Sequence, residues 1–162
     1  MKLLDNSIQE PFMTLIEQRP WGHYGLYADN VHCTTKILYI KKGESLSLQQ
    51  HFLRSQLYVL LDDDFTIEYS DIEVPDSLIN EPNEDWKIAG FNKFLEEHLI
   101  TTSGSEGDLY GFKCKILHRA TYHGNGKYGR ILDVAMGTND ENDIYRIQDK
   151  YGRENVKLQD IK

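Results

Sequence analysis

The sequence predicts an all-β domain, a sandwich or a barrel, that carries one helical insertion. Three observations lead there. Runs of β-branched and aromatic residues of strand length recur along the chain, each closed by a Gly, Asp or Asn cluster. A single stretch has its apolar residues at helical spacing. The 162 residues amount to about one domain, residues 1–162, and nothing in them repeats at a solenoid-like period.

Val31 to Ile40 is the first such strand and stops at the turn Lys41-Lys42-Gly43-Glu44. Ser45 to Phe52, Gln56 to Leu61 and Phe65 to Tyr69 follow, and Leu109 to Arg119 and Gly129 to Ala135 complete the set. Residues 71–106 read as an insertion between strands, with a helix at 84–99. Its stripe is Ile88, Phe91, Phe94, Leu95 and Leu99, its N-cap Asn83, and Glu84 and Asp85 suit the positive end of the helix dipole. The stripe should pack on the barrel wall, and the tail from Asn139 carries Tyr145, Ile147 and Tyr151 to dock with. Asp62-Asp63-Asp64 and Asp140-Glu141-Asn142-Asp143 read as solvated turns.

Composition narrows the function classes. Eighteen Lys and Arg against 26 Asp and Glu give a formal charge of −8, and no basic patch stands out, so nucleic acid is not an expected partner. No apolar run has the length of a membrane span, and Met1-Lys2-Leu3-Leu4-Asp5 meets an acid before a signal-peptide core develops, so the expected location is cytoplasmic. Cys33 and Cys114, far apart and without metal-site spacing, read as reduced, buried thiols.

The chemistry concentrates around Gly43-Glu44-Ser45-Leu46-Ser47-Leu48-Gln49-Gln50-His51, with Arg54 and Gln56 after it. On a strand Gln49 and His51 point to one face with Ser47, and Leu48 and Gln50 to the other. His118, read as closing the strand from Leu109, shares a face with Tyr110, Phe112, Cys114 and Ile116 and should look into an apolar interior. This spacing resembles the two-part cupin signature, whose four polar residues bind a metal inside a small jelly-roll barrel, the double-stranded β-helix. Gln49, His51 and Gln56 stand at the first three ligand positions and His118 at the fourth, with Gly107 eleven residues before it. Gln56 replaces the acid, Asp63 the closing glycine, Lys113 and Lys115 the Pro and Gly of the second motif, and Tyr122 its Asn.

The chain more closely resembles the cupin module of type II mannose-6-phosphate isomerases, which often follows a mannose-1-phosphate guanylyltransferase domain. The resemblance is carried by Arg19-Pro20-Trp21-Gly22-His23-Tyr24, by Gly43 to Arg54, by His118-Arg119 and by the tail Asp143 to Arg153 with its Asp149-Lys150-Tyr151-Gly152-Arg153. Neither the length nor any Gly-rich phosphate loop leaves room in this chain for the guanylyltransferase. The resemblance implies aldose–ketose isomerisation of a sugar phosphate, a divalent metal (Zn²⁺ or similar) on Gln49, His51, Gln56 and His118, and a homodimer paired through barrel edges. With two imidazoles, two carboxamides and no anion, that metal set would be weak. His118, Lys36 and Arg119 are then the candidate catalytic residues, and Arg54, Tyr58 and Arg19 the candidate substrate-binding ones. His23 and His32 qualify as proton-transfer groups by residue type alone, and Glu44 lies in a turn outside the barrel mouth. A metal-independent isomerase or epimerase of nucleotide sugars, or a non-catalytic cupin that binds a sugar or nucleotide, fits the same altered motif.

Overall fold

The computed structural model describes residues 15–30, 32–138, 140–156 and 158. The expectations placed on Met1–Asp5 and Val31 fall outside them. Among the described residues eleven strands and two α-helices follow one another in the order β1 Leu15–Arg19, β2 Gly22–Asp29, β3 Cys33–Lys41, β4 Leu48–His51, β5 Arg54–Leu60, β6 Phe65–Ser70, α1 Asp76–Ile79, α2 Glu84–His98, β7 Leu99–Gly104, β8 Leu109–Phe112, β9 His118–Tyr122, β10 Tyr128–Gly137 and β11 Ile144–Gln148. They form two antiparallel sheets, one ordered β1-β2-β3-β10-β5-β8 and the other β11-β4-β9-β6-β7. This is the all-β jelly-roll architecture expected.

Period-2 alternation fills the space between the sheets. Leu38 and Ile40 on β3, Tyr58 and Leu60 on β5 and Ile131 on β10 face Phe65 and Ile67 on β6 and Ala120 and Tyr122 on β9 in one buried cluster. At the start of that wall Gly22 takes a φ of +154°, and a Cβ there would stand 1.8 Å from the Tyr39 carbonyl oxygen. The close pairing of β2 with β3 therefore demands glycine at the end of Arg-Pro-Trp-Gly.

The helical insertion makes a second core on the outer side of the five-stranded sheet. Phe91 and Phe94 of α2 and Val74 pack there with Leu48, Leu117, Ile147 and Val156. Asn83 caps the helix as its sequence predicts, accepting from the Trp86 amide at 3.1 Å. Strand β4 is thus held between two apolar clusters, Leu48 toward the helix and His51 toward the barrel.

The structure departs from the sequence reading at several places, β1, β2 and β11 among them, none of which the sequence pattern reads as a strand. The polar run after the helix is strand β7, paired along β6, because an edge strand tolerates Thr and Ser on its open side. The single strand read from Leu109 to Arg119 is two, β8 in one sheet and β9 in the other, with the chain crossing between them at Lys113–Leu117. Lys115 turns that corner with a φ of +64°, and it stands where the cupin signature has glycine. Asp143 is not solvated: it is 4% exposed, and its carboxylate accepts from the Phe52 and Leu53 amides at 2.8 and 3.1 Å. Cys33 and Cys114 are unpaired thiols as read, yet half-buried rather than buried.

Truncating Phe91 to Ala should cost about 3–5 kcal/mol of unfolding free energy in urea titration, as a buried aromatic at a core centre does. Trp86→Ala, on the same helix but 70% exposed, should stay within about 0.5 kcal/mol of the parent.

Candidate functional site

One end of the barrel exchanges its apolar lining for charge at the same inward positions. Arg54, Gln56 and Tyr58 follow one another on the inner face of β5, Lys36 precedes Leu38 on β3, and Asp133 follows Ile131 on β10. Strand β10 lies between the other two, so Asp133 is registered opposite Lys36 on one side and Tyr58 on the other. With Trp21, Tyr24, Gln49 and residues of the tail they line a cleft of about 560 Å³ including its mouth.

The lining is electrostatically lopsided. Arg19, Lys36, Arg54, Arg146 and Arg153 contribute five cations, and among the described residues that line it Asp133 is the one carboxylate. Lys36 and Arg54 are 9% and 5% exposed and form the floor, whereas Arg19 and Arg153 sit at the half-exposed rim. Burial pushes the Asp133 carboxyl up to about 6 against the pull of Lys36 and Arg54, leaving a group able to hold or release a proton near neutrality.

Beside this floor lie His51 and His118, ring centroids 5.5 Å apart, each 2% exposed. Phe112 stacks on His118 at 4.4 Å and Tyr58 meets it edge-on at 5.7 Å, so the imidazole is clamped in aromatic surroundings. Burial drives both rings toward the neutral form, His118 down to about 4 and His51 to about 2, with Arg54 adding to the effect on both. Each uses Nδ1 on a backbone carbonyl, His51 on Asp143 at 3.2 Å and His118 on Ile116 at 3.0 Å. A carbonyl only accepts, so the His51 Nδ1 carries the proton and its Nε2 presents a lone pair; His118 faces an acceptor at each nitrogen, the Ile116 carbonyl and Gln56 Oε1, and donates its one proton to one of them while the other nitrogen keeps its lone pair.

Those lone pairs test the metal that the fold family implies. Gln56 donates Nε2 to both oxygens of Asp133 at 3.1 Å, which turns its Oε1 toward His118 Nε2 at 2.7 Å. The Gln56–His118 contact is a hydrogen bond for the tautomer with its proton on Nε2, whereas the His51 Nε2 is buried and without a hydrogen-bond partner, an orphaned acceptor that a cation would satisfy. A divalent metal taken up at that orphaned nitrogen would have His51 Nε2, His118 Nε2 and Gln56 Oε1 as its donors, with Asp133 lending negative charge through the Gln56 amide as an outer partner. Among the described residues no three His, Cys, Asp or Glu side chains cluster as ligands, so the set is low in charge. Gln49 is not brought to it: its Oε1 accepts from Ser47 Oγ at 2.5 Å.

The other sequence candidates divide in the same way. Lys36, Arg54, Tyr58 and Arg19 line the cleft, Arg19 also pairing with Glu17. Arg119 does not reach it. On β9 it alternates with His118 and Ala120, faces outward, and forks onto Glu68 of β6 at 2.7 Å, with Gln148 at 3.2 Å. His23 stacks on Tyr39 at 4.5 Å and is not among the cleft-lining residues. Asp133, Arg146 and Arg153 are the site residues that sequence reasoning missed. Asp133 had a signal, being an acid at inward parity in an otherwise apolar strand; Arg153 had one as the last residue of the tail motif.

The fold is that of a cupin. Residues 9–75, a span that contains β1 to β6, match the family model described as mannose-6-phosphate isomerase C-terminal. No curated protein matches it by sequence. Among solved structures, the capsular polysaccharide assembling protein CapF from Staphylococcus aureus superposes with a TM-score of 0.57 at 11% identity over 83% of this chain. This chain spans only about a third of CapF, 34% of its length. KdgF from Halomonas sp. gives 0.55 at 12% identity, covering 79% of this chain and 90% of its own. Pac13, described as a nucleoside dehydratase, gives 0.51 at 8% identity, covering 83% and 84%. At such identities the likeness is one of fold. No helix among the described residues is long and apolar enough to cross a membrane.

The protonation states set a pH dependence. Between about pH 6 and 4 each unfolded histidine takes up a proton that its folded counterpart refuses, which destabilises the fold as pH falls. Asp133, with its folded value raised to about 6, acts in the opposite sense over the same window. The balance is about one proton, so stability measured by urea titration should fall by ~1.4 kcal/mol per pH unit across that range. A flat profile would contradict two buried neutral imidazoles.

Proposed function

We propose that this cupin binds an anionic sugar, a sugar phosphate of the mannose 6-phosphate kind, and interconverts its aldose and ketose forms. The observation that carries the reading is the charge of the cleft: five cations against one carboxylate, inside a chain whose formal charge is −8. Such a site selects anions and concentrates them locally against the field of the molecule. Arg54 and the rim arginines hold the phosphate, since planar guanidinium forks match its oxygens.

The chemistry requires a proton to move between adjacent carbons and an enediolate oxygen to be stabilised. Asp133, raised to about 6, is the group to carry the proton, and Gln56 orients it through both carboxylate oxygens. Lys36, its cross-strand neighbour, supplies the positive charge for the oxyanion. A divalent ion held by His51, His118 and Gln56 would polarise the sugar carbonyl. The arrangement of the cations in two tiers, buried floor and half-exposed rim, supports a second reading in which the ligand is a nucleotide sugar with its diphosphate at the rim. We also propose that two copies pair along the open edge of β1, where Leu15 and Ile16 are 47% and 52% exposed.

Calorimetric titration with mannose 6-phosphate, mannose and a nucleoside-diphosphate mannose separates these readings. Mannose 6-phosphate should bind and mannose should not, and Arg54→Ala should abolish binding while leaving the circular dichroism spectrum unchanged. Preference for the nucleotide sugar would select the second reading, and no binding of either anion would overturn both. Elemental analysis after dialysis against Zn²⁺ should find about one ion per chain in the parent. His51→Ala and His118→Ala should each lose it; metal retained in both would remove the assignment.

A further inference from the structure

The last strand and the residues after it lie across the cleft rather than beside it. β11 is an edge strand, paired to β4 alone, with its register interrupted between Arg146 and Gln148. It and the segment that follows place Ile144, Arg146 and Arg153 in the lining, so two of the five cleft cations come from this one stretch. The segment doubles back on itself: Asn155 N–H donates to the Arg146 carbonyl and the Arg146 N–H to Asn155 Oδ1, both at 2.8 Å.

Within the loop so formed, Arg153 is oriented with unusual completeness for a rim residue. Asp149, whose side chain is fully buried, takes its Nε at 2.9 Å and its Nη2 at 2.7 Å and accepts from its backbone N–H as well. The guanidinium lies 5.2 Å over the Tyr151 ring. This fork leaves Nη1 outside the Asp149 contact. Tyr151 in turn donates its hydroxyl to Glu44, and Lys150 Nζ reaches the same carboxylate at 2.8 Å. Glu44 belongs to the turn after β3 and is not among the residues lining the cleft. Ile147 and Val156, both buried in the outer core, anchor the two ends of the loop, and between them Tyr151 and Lys150 clip it to Glu44, a carboxylate off the binding site, with Lys150 also reaching the Gly43 carbonyl at 3.4 Å.

We propose that the loop 148–155, between the buried Ile147 and Val156, forms a strap that closes an anionic ligand into the cleft, with Arg153 as its ligand-contacting residue and the Glu44–Tyr151–Lys150 contact as its latch. The inference rests on the anionic-ligand reading of the cleft. An anion held between Arg153 on the strap and Arg54 on the barrel ties the two together. Ligand binding and latch closure therefore favour each other reciprocally, since each supplies ordering that the other needs. Asp149 and Tyr151 are positioning residues, acting on the ligand through Arg153.

The test uses mannose 6-phosphate as probe on the full chain, with two latch variants, Glu44→Gln and Tyr151→Phe, and with Arg153→Lys. Binding is followed by calorimetry, and strap closure by the rate of tryptic cleavage after Lys150 and Arg153. In the parent the probe should slow cleavage at these two sites about tenfold. The latch variants should bind about tenfold more weakly, and Arg153→Lys, which keeps the charge and loses the fork, should weaken binding to a similar degree. Parent-like affinity in both latch variants, or cleavage that the probe does not slow, overturns the strap while leaving the cleft reading intact. Absence of binding to the parent overturns the cleft reading itself and the strap with it.

Discussion

The carboxylate of Asp133 is the charge around which the interior is arranged. A carboxylate inside a β-barrel is costly unless opposite charge and hydrogen-bond donors are brought to it. Here Lys36 faces it across β3, Arg54 acts on it from β5, and Gln56 donates to both its oxygens. Each partner occupies an inward position that in the other half of the barrel belongs to Leu, Ile or Phe. The polar end of the barrel exists because these groups satisfy one another, and the cleft above them inherits their charge.

Gln56 links this ion cluster to the imidazole pair. Its amide gives hydrogens to the carboxylate and turns its oxygen to His118, so the orientation of one side chain decides what both histidines face. Burial keeps the rings neutral, and the Asp143 carbonyl fixes the tautomer of His51. The outcome is a small cluster of lone pairs next to a basic cleft. A metal would suit the first and an anion the second, and a metal-bound phosphosugar would satisfy both kinds of donor.

Rigidity comes from outside the barrel. Strand β4 carries His51 inward and Leu48 outward, and the insertion seals the outward side with Phe91 and Phe94. Asp143 fixes the end of that strand by accepting from Phe52 and Leu53. The rim loop 148–155 is held more lightly: Ile147 and Val156 anchor its ends in the outer core, and Lys150 and Tyr151 clip its middle to Glu44. A firm floor and a lightly held cover are what a site that must admit and then enclose a ligand requires.

Local pattern was enough to read most strands, the Asn83-capped helix and the motif register, because period-2 alternation, capping and turn chemistry act between residues close in sequence. In the altered second motif Lys115, where the cupin signature has glycine, takes a φ of +64°, in the left-handed region that favours glycine. What the sequence left open was convergence. Asp133 lies 77 residues from Gln56, and its role follows from β10 lying between β3 and β5, which pairing across the sheet decides. Arg119 shows the same limit from the other side. Next to His118 in sequence, it falls on the opposite face of β9 and spends its charge on Glu68, and the break between β8 and β9 could be seen only where the chain changes sheets. The sequence by itself determined the elements and the residue types of the site; the tertiary structure decided which of them meet, since that depends on strand order and on charges that must be neutralised once buried.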